Sequence, residues 1–495
     1  LYELLGQGPP KICLSLTEAT LDEDLAIVEQ ERKRVDLVEL RADFLSESEL
    51  THLARFPESV GLPTILTYRR ADEGGDRSTP EPERIKVLER SLEGLWTFVD
   101  LEEDLAAPRL DSKAADHGTK IIRSLFDFSG IPSNLADRIG ALPRNAGEIP
   151  KATVMPQTTS DLLDLLVTAR RIGEAKAILV GMGEWGLPTV VLPNRFASLL
   201  TYSTAGRANS GPGHLPPETL RSIYRIGEVG TSARIFCVIG NPVLHSRSPW
   251  IHNPGLRSLG LDAVYIPIRV DSISAFMQLA EELPIDGVSV TIPHKEAIID
   301  LLGSSDRSVG EVGACNTLVR YEQGWKGYNT DIEGFLVPLR SRLQDRLRGR
   351  TVLVVGAGGA ARAVVAGLVR SGSAVTIVNR THERAEKLAR QFGCNWIRAN
   401  DVRDRGSYDV VVQATSVGMT PNVGGDPLPS YRFRGSEVVY DLIYAPPRTE
   451  FLRRAASAGC ALIGGGEMLL HQAYAQFRLF TGNEYPSEAT EAPEV

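Results

Sequence analysis

Short β-branched runs alternate with helical patterns along most of the 495 residues. That alternation constrains the fold strongly, because parallel strands need long crossovers and a helix usually supplies them. Eight such runs fall in the first ~230 residues. They are KICLSL from Lys11, VDLVEL from Val35, PTILTY from Pro63, TFVDL from Thr97, TKIIRS from Thr119, KATVM from Lys151, KAILVG from Lys176 and TVVL from Thr189. Eight strands with helices between them are the tally of an α/β (β/α)8 TIM barrel, which places its chemistry where the strands end. Polar residues stand there. Glu39 and Arg41 close the second run, Arg69 follows the third, and Asp100 and Glu102 end the fourth.

Charge and cysteine content narrow the function. A net charge of −8 argues against a nucleic-acid backbone or an anionic membrane as partner, since both select basic surfaces. No apolar run approaches the ~18 residues of a membrane span. The five cysteines, Cys13, Cys237, Cys315, Cys394 and Cys460, are far apart and show no C-x-x-C. This excludes a disulfide framework and a cysteine zinc site, and fits a reducing compartment. The eight histidines show no H-E-x-x-H spacing, so no metal is expected. The chain starts at Leu1 with no targeting segment to read. The expected location is cytoplasmic, or plastid in a plant, and the expected partners are small molecules.

The helical stretch Pro217–Glu228 leads into Gly230-Thr231-Ser232, read as a linker. A second strand–helix series starts at Arg234 and a third at Thr351. Between them, Arg340–Arg350 holds five arginines, read as a solvated helix face and loop. The expected domains are a barrel over 1–228, a substrate-binding domain over 233–334 and a nucleotide-binding Rossmann domain over 335–462. A C-terminal helix over 463–484 is expected to return to the substrate domain, followed by a disordered tail over 485–495.

TVLVVGAGGAARAVVAGL reads as a buried strand, a glycine turn and a helix. Gly356 permits the sharp turn, Gly358 lets backbone approach a pyrophosphate, and the helix N-terminus offers free N–H groups. Ala357, Gly359 and Ala360 complete the turn. NAD enzymes usually carry an acid about 20 residues further on, to hold the ribose 2′-OH. Here that place holds Asn379, Arg380 and Thr381, with Arg384 one turn later. Arginine binds a 2′-phosphate that an acid would repel, so NADP is the expected cofactor.

Three further segments carry chemistry. GNPVLHSRSPWIHN sets Ser246 and Ser248 two apart, placed to grip a carboxylate. VSVTIPHKEAI holds Thr291 and Lys295. GACNTL and GYNTDIEGF give Asn316 and Asp331, and a Lys with an Asp can form an acid–base pair. From about Arg234 to Gly482 the chain resembles shikimate dehydrogenase. The resemblance implies that Ser246 and Ser248 bind the substrate carboxylate and that Lys295 and Asp331 are catalytic. It implies that Thr291, Asn316, Tyr444 and Gln472 contact substrate. It also implies that the Gly356–Ala360 turn, Asn379–Arg384, Leu442 and Gly465 hold NADP. The implied reaction is NADPH-dependent reduction of 3-dehydroshikimate.

The first ~230 residues resemble type I 3-dehydroquinate dehydratase, and the order of the halves resembles the plant-type bifunctional enzyme. In that family a lysine forms an imine with the substrate ketone. Lys151 in IPKATVMPQ matches it, and Ser15, Glu39, Arg41, Arg69, Glu73 and Ser210 match other active-site positions. Three positions depart: the family histidine is Phe126, the carboxylate-binding arginine is Val190, and the glutamine after Pro-Gly is His214. Loss of a positioned acid–base group costs ~10²–10⁴ in rate. The barrel is therefore expected to be a weak or inactive dehydratase. The alternatives are a fully bifunctional enzyme and a non-enzymatic metabolite sensor. His214 and His117 are the nearby histidines available as substitutes.

Overall fold

The computed structural model describes residues 8–173, 177–206, 213–322, 324–404 and 407–489. Ser210 and residues 490–495 of the expected tail lie outside the described residues. The chain forms two compact units, Leu1–Pro249 with Gly260–Ile285, and Trp250–Leu259 with Asp286–Val495. Among the described residues no helix is long and apolar enough to cross a membrane.

The first unit contains eight parallel strands: β1 (Lys11–Leu16), β2 (Leu37–Arg41), β3 (Thr64–Thr67), β4 (Phe98–Glu102), β5 (Lys120–Asp127), β6 (Ile149–Val154), β7 (Ile178–Gly181) and β8 (Leu200–Thr204). They run in the order β7-β6-β5-β4-β3-β2-β1-β8. A parallel bridge between Ala177 and Ser198 nearly closes the ring. Each strand gives one side chain to a buried apolar layer: Cys13, Leu37, Ile65, Phe98, Ile122, Ile149, Ile178 and Leu200. Because strands alternate faces with a period of two, the residue two positions on also points inward.

The eighth run was expected at TVVL from Thr189, and there the structure corrects the sequence reading. Thr189, Val190 and Val191 of that run lie inside the Gly183–Val191 helix, with Leu192 capping it, and LTYST forms the eighth strand instead. A short buried apolar run does not distinguish strand from helix by its own pattern. Glycine decides it here. Gly186 lets the helix press onto Gly181, where an added Cβ would lie 2.1 Å from the Gly181 carbonyl. The Gly181 N–H donates to Thr189 Oγ1, which donates in turn to the Gly186 carbonyl, both at 2.8 Å.

The same unit continues past the expected linker. Gly230 N–H donates to Asp262, and Arg195 donates to the Ala233 carbonyl. Strands β9 (Arg234–Gly240) and β10 (Ala263–Arg269) pair in parallel, and the Ile273–Glu282 helix follows. That helix packs on the barrel's Thr159–Ile172 helix. Asp271 accepts from both Thr159 N–H and Oγ1, at 3.0 and 2.6 Å, and Arg170 pairs with Glu282.

The second unit holds β11 (Ile285–Val290), β12 (Ser304–Ser305), β13 (Thr317–Tyr321) and β14 (Gly324–Tyr328). β13 pairs antiparallel with β11 and β14, and β12 pairs in parallel with β14. Then come β15 (Thr351–Val355), β16 (Ala374–Val378), β17 (Asn395–Ile397), β18 (Val410–Gln413), β19 (Val438–Asp441) and β20 (Ala461–Ile463). These six are parallel in the order β17-β16-β15-β18-β19-β20. Counted along the chain that is 3-2-1-4-5-6, the doubly wound dinucleotide-binding order, with its switch point between β15 and β18. The Gly465–Thr481 helix packs along the Asp331–Leu343 helix. Gly334 permits the contact, since a Cβ there would sit 2.8 Å from Gln472 Cβ. Residues 485–489, the described part of the expected tail, are folded onto this helix, with Tyr485 stacked on Tyr474 at 4.3 Å.

Gly186→Ala is expected to lower barrel stability by roughly 1–3 kcal/mol, because overpacking against backbone has no cheap relief. Thermal unfolding of the full chain reads this directly, with a lowered melting temperature as the outcome.

Candidate active sites

In the barrel, the pleat turns the apolar layer into a functional one. Two residues beyond it come Ser15, Glu39, Thr67, Asp100, Ser124, Lys151, Val180 and Tyr202, one from each strand. Two further on stand Arg41, Arg69, Glu102, Phe126, Thr153 and Met182. A cavity of about 220 Å³ opens there, lined by Glu39, Arg41, Arg69, Phe126, Lys151 and Tyr202 among others.

Asp100 is the hub. It accepts from Ser124 Oγ at 2.5 Å, Arg69 Nη2 at 2.6 Å and Lys151 Nζ at 2.8 Å. Burial alone would raise its pKa. Arg69 and Lys151 overcome that and hold its carboxyl well below the usual carboxylate range. Arg69 also reaches Glu102 at 3.2 Å and Glu73 at 3.5 Å. Burial would weaken its charge, but these carboxylates raise its pKa further. Glu39 lies 3.9 Å from Lys151 Nζ and accepts from Ser15 and Thr67 at 2.7 and 2.8 Å. Arg41 grips Asp43 through two nitrogens at 3.0 and 2.7 Å. Lys151 is only 4% exposed, so its neighbours control it more than solvent does.

The three departing positions fall as follows. Phe126 lines the cavity 5.4 Å from Lys151 Nζ, with the Arg69 guanidinium 4.2 Å from its ring centre. Val190 is buried in the Gly183–Val191 helix and is not among the cavity-lining residues. His214 lines the cavity and stacks on Tyr202 at 6.0 Å. Burial lowers its pKa to about 4, so it is neutral at pH 7. His117 precedes β5 at the opposite end of the barrel and does not line the cavity.

In the second unit, Lys295 Nζ donates to Asp331 Oδ2 at 2.7 Å. Asp331 opens the Asp331–Leu343 helix, where the positive dipole end favours a carboxylate. Asn316, fully buried, donates from Nδ2 to Asp331 Oδ1 at 2.8 Å and to Thr330 Oγ1 at 3.0 Å. Its amide therefore fixes the aspartate. The Cys315 N–H donates to the Lys295 carbonyl at 2.7 Å, so the lysine backbone is tied to the segment that holds Asn316 and leads into β13. Thr291 follows β11, Tyr444 follows β19 and Gln472 lies on the last long helix, all three half-buried. In the first unit, Ser246 Oγ donates to Ser248 Oγ at 3.1 Å, so the two hydroxyls share one spot.

Gln476 belongs to this site and is not among the residues picked out in the sequence. It accepts from Ser289 Oγ at 2.9 Å and donates to the Asn316 carbonyl at 3.2 Å and Thr317 Oγ1 at 3.0 Å. Its sequence signal is its place four residues after Gln472 on one helix face.

The glycine turn fits a dinucleotide. Gly356 has φ +122°, and a Cβ there would come within 2.8 Å of the Ala414 carbonyl. Gly358 and Gly359 are exposed, with nothing within 4 Å of the Cβ each lacks, so a ligand has free access to that backbone. Gly359 starts a 12-residue helix. Arg380 and Arg384 are exposed, and no carboxylate pairs with either among the described residues. Asn379 Nδ2 donates to the Thr381 carbonyl at 2.9 Å, shaping the turn that carries them. Gly465 brings the last helix against the Leu442 carbonyl, 2.3 Å from an added Cβ.

Comparison with known proteins places both halves. The Type I 3-dehydroquinase family matches residues 12–231. The shikimate dehydrogenase substrate binding domain matches 238–318, Shikimate / quinate 5-dehydrogenase matches 339–421, and the shikimate 5'-dehydrogenase C-terminal domain matches 465–492. These matches define a lyase fold joined to an oxidoreductase fold. The bifunctional 3-dehydroquinate dehydratase/shikimate dehydrogenase of Arabidopsis thaliana, a chloroplastic protein, is 31% identical over 97% of this chain and 84% of its own length. The chain belongs to that bifunctional family. Shikimate dehydrogenase (NADP(+)) of Shouchella clausii is 38% identical over 51% of this chain and 94% of its own. A crystal structure of shikimate dehydrogenase in complex with NADP+ superposes with a TM-score of 0.50 at 33% identity, covering 53% of this chain and 94% of that one.

Gln476→Leu is expected to lower dehydrogenase kcat/KM by about 10–100-fold, the usual size of losing an outer hydrogen-bonding partner of a site residue. Steady-state kinetics alongside thermal unfolding separate this from simple destabilisation.

Proposed function

We propose that the C-terminal half reduces 3-dehydroshikimate to shikimate with NADPH, and that the barrel is a weak or inactive 3-dehydroquinate dehydratase. The Lys295–Asp331 contact at 2.7 Å, backed by Asn316, carries the first part. A lysine ammonium beside the reacting keto oxygen stabilises the alkoxide as it forms, and can deliver its proton there. Asp331 orients that ammonium and accepts from a substrate hydroxyl. Ser246 and Ser248 receive the substrate carboxylate, while Thr291, Tyr444 and Gln472 contact the ring. NADPH, when bound, supplies the hydride. The Gly356–Ala360 turn and the Gly359–Arg370 helix start would hold its pyrophosphate, with Leu442 and Gly465 beside it. Asn379, Arg380, Thr381 and Arg384 would hold its 2′-phosphate. An intact acid–base pair favours this enzyme over a metabolite sensor, which needs no proton donor.

The barrel retains Lys151 within its buried charge network, but lacks the family histidine at Phe126 and the arginine at Val190. The retained network is the observation that favours full bifunctionality as the second reading. The missing groups favour the first, since each acts on a step the lysine cannot perform alone.

Lys295→Met is expected to lower shikimate-dependent NADP reduction by ~10²–10⁴ while the fold is kept. Unchanged turnover would overturn the role given to Lys295, and no turnover by the unsubstituted chain would return the sensor reading. For the barrel, dehydroquinate conversion by the full chain is expected near background, and Phe126→His is expected to raise it about tenfold or more. A wild-type rate in the usual enzyme range of about 1–10³ s⁻¹ would establish the bifunctional reading instead.

A further inference from the structure

We propose that Arg269 is a positioning residue for the dehydrogenase, and that the barrel supplies the groups that hold it. It fixes the segment that carries Ser246 and Ser248, so shikimate affinity in the C-terminal half depends on two barrel residues, Glu184 and Trp185. The inference rests on the reading of the two serines as the carboxylate grip.

The strand register sets Arg269 in place. It is the last residue of β10 and lies opposite Gly240, the last residue of β9. The Val270 N–H donates to the Gly240 carbonyl at 3.0 Å, which closes the pairing just where the serine segment leaves the sheet. Asn241 is the first residue of that segment, and Arg269 Nε donates to its Oδ1 at 3.0 Å. Further on, the Ser246 N–H donates to the Val243 carbonyl at 2.9 Å, and Ser248 opens the Ser248–Ser258 helix. So few residues separate the Arg269 bond from Ser246 that a shift at Asn241 is carried to the hydroxyls.

The other side of Arg269 is held from the barrel. Its Nη1 donates to Glu184 Oε2 at 2.6 Å, and its guanidinium lies 4.8 Å from the Trp185 ring centre. Glu184 and Trp185 stand in the first turn of the Gly183–Val191 helix, close after Met182, which lines the barrel cavity. Arginine suits this bridge because its planar fork offers Nε to one acceptor and Nη1 to another while its face takes a ring. The pairing with Glu184 is partly exposed, so its own strength is modest. Its effect is orientation: it fixes the plane from which Nε addresses Asn241.

The substrate carboxylate does not change during reduction of the keto group. A grip on it therefore holds ground state and transition state alike, and loosening it raises KM rather than lowering kcat.

The test uses the full chain, with steady-state kinetics for shikimate and NADP and thermal unfolding of every variant. Arg269→Met is expected to raise the shikimate KM about tenfold, the usual effect of losing a charged hydrogen-bond donor. Its kcat and NADP KM are expected to stay within about twofold. Glu184→Gln with Trp185→Leu, on the barrel, is expected to raise the shikimate KM about threefold, and to add nothing in the Arg269→Met background. Arg170→Gln breaks the Arg170–Glu282 pair in the same seam and is expected to leave it unchanged. An unchanged shikimate KM in Arg269→Met overturns the proposal. So does an equal rise in Arg170→Gln, the mark of general loosening, or a fall in kcat without a rise in KM. If Arg269→Met does not fold, the barrel pair decides by the same criteria. Ser246→Ala reports on the underlying reading. A normal shikimate KM there removes the grip and the inference together, whereas a raised one beside a normal Arg269→Met overturns the inference alone.

Discussion

The Asp100 carboxylate, shared by Arg69, Lys151 and Ser124, holds the mouth of the barrel together. A buried charge is costly unless its partners are close and its lone pairs are filled. Asp100 meets both conditions with three donors within 2.8 Å. From it the network spreads. Arg69 reaches Glu102, and Glu102 binds Arg84 on the Glu81–Ser91 helix. Helix, strand ends and lysine are fixed in one charge-balanced layer. Removing one partner would strand a buried charge, which explains how the layer can persist while positions around it have changed.

The second unit repeats the device with different exposure. Asp331 anchors Lys295 as Asp100 anchors Lys151, and each aspartate has a neutral donor beside it, Asn316 in one case and Ser124 in the other. The Lys295 side chain is 22% exposed against 4% for Lys151. A lysine at a site edge can exchange its proton with water during turnover. A lysine enclosed by carboxylates and rings is better suited to holding a covalent adduct away from water.

Much of this was legible in the sequence, for identifiable reasons. Strands bounded by turns and followed by helices dictate parallel sheets, and the period of two places Glu39 and Lys151 inward once Leu37 and Ile149 are known to be core. The glycine turn with Arg380 and Arg384 indicated the nucleotide and its phosphate. The eighth strand was not legible. Thr189-Val190-Val191-Leu192 has strand-forming residues, and only the contact of Gly186 with Gly181, a tertiary event, makes most of that run helical. Gln476 was missed because its importance lies in distant partners, Ser289 and Asn316, that the chain brings together only on folding. Asn316 was expected to contact substrate, and the donation of its buried amide to Asp331 was not legible in the sequence.

The contacts around Asp271 carry a consequence for how the two halves can be handled. Thr159, Arg170, Glu184 and Trp185 of the barrel are engaged by Asp271, Glu282 and Arg269 from beyond the linker. A protease or a gene designer cutting at Gly230 would not release two finished proteins. Each fragment would carry a raw seam: a helix start without its acceptor on one side, an unpaired arginine and glutamate on the other. Along this seam the barrel, β9, β10 and the Ile273–Glu282 helix belong to one compact unit, and the joint is structural rather than merely covalent.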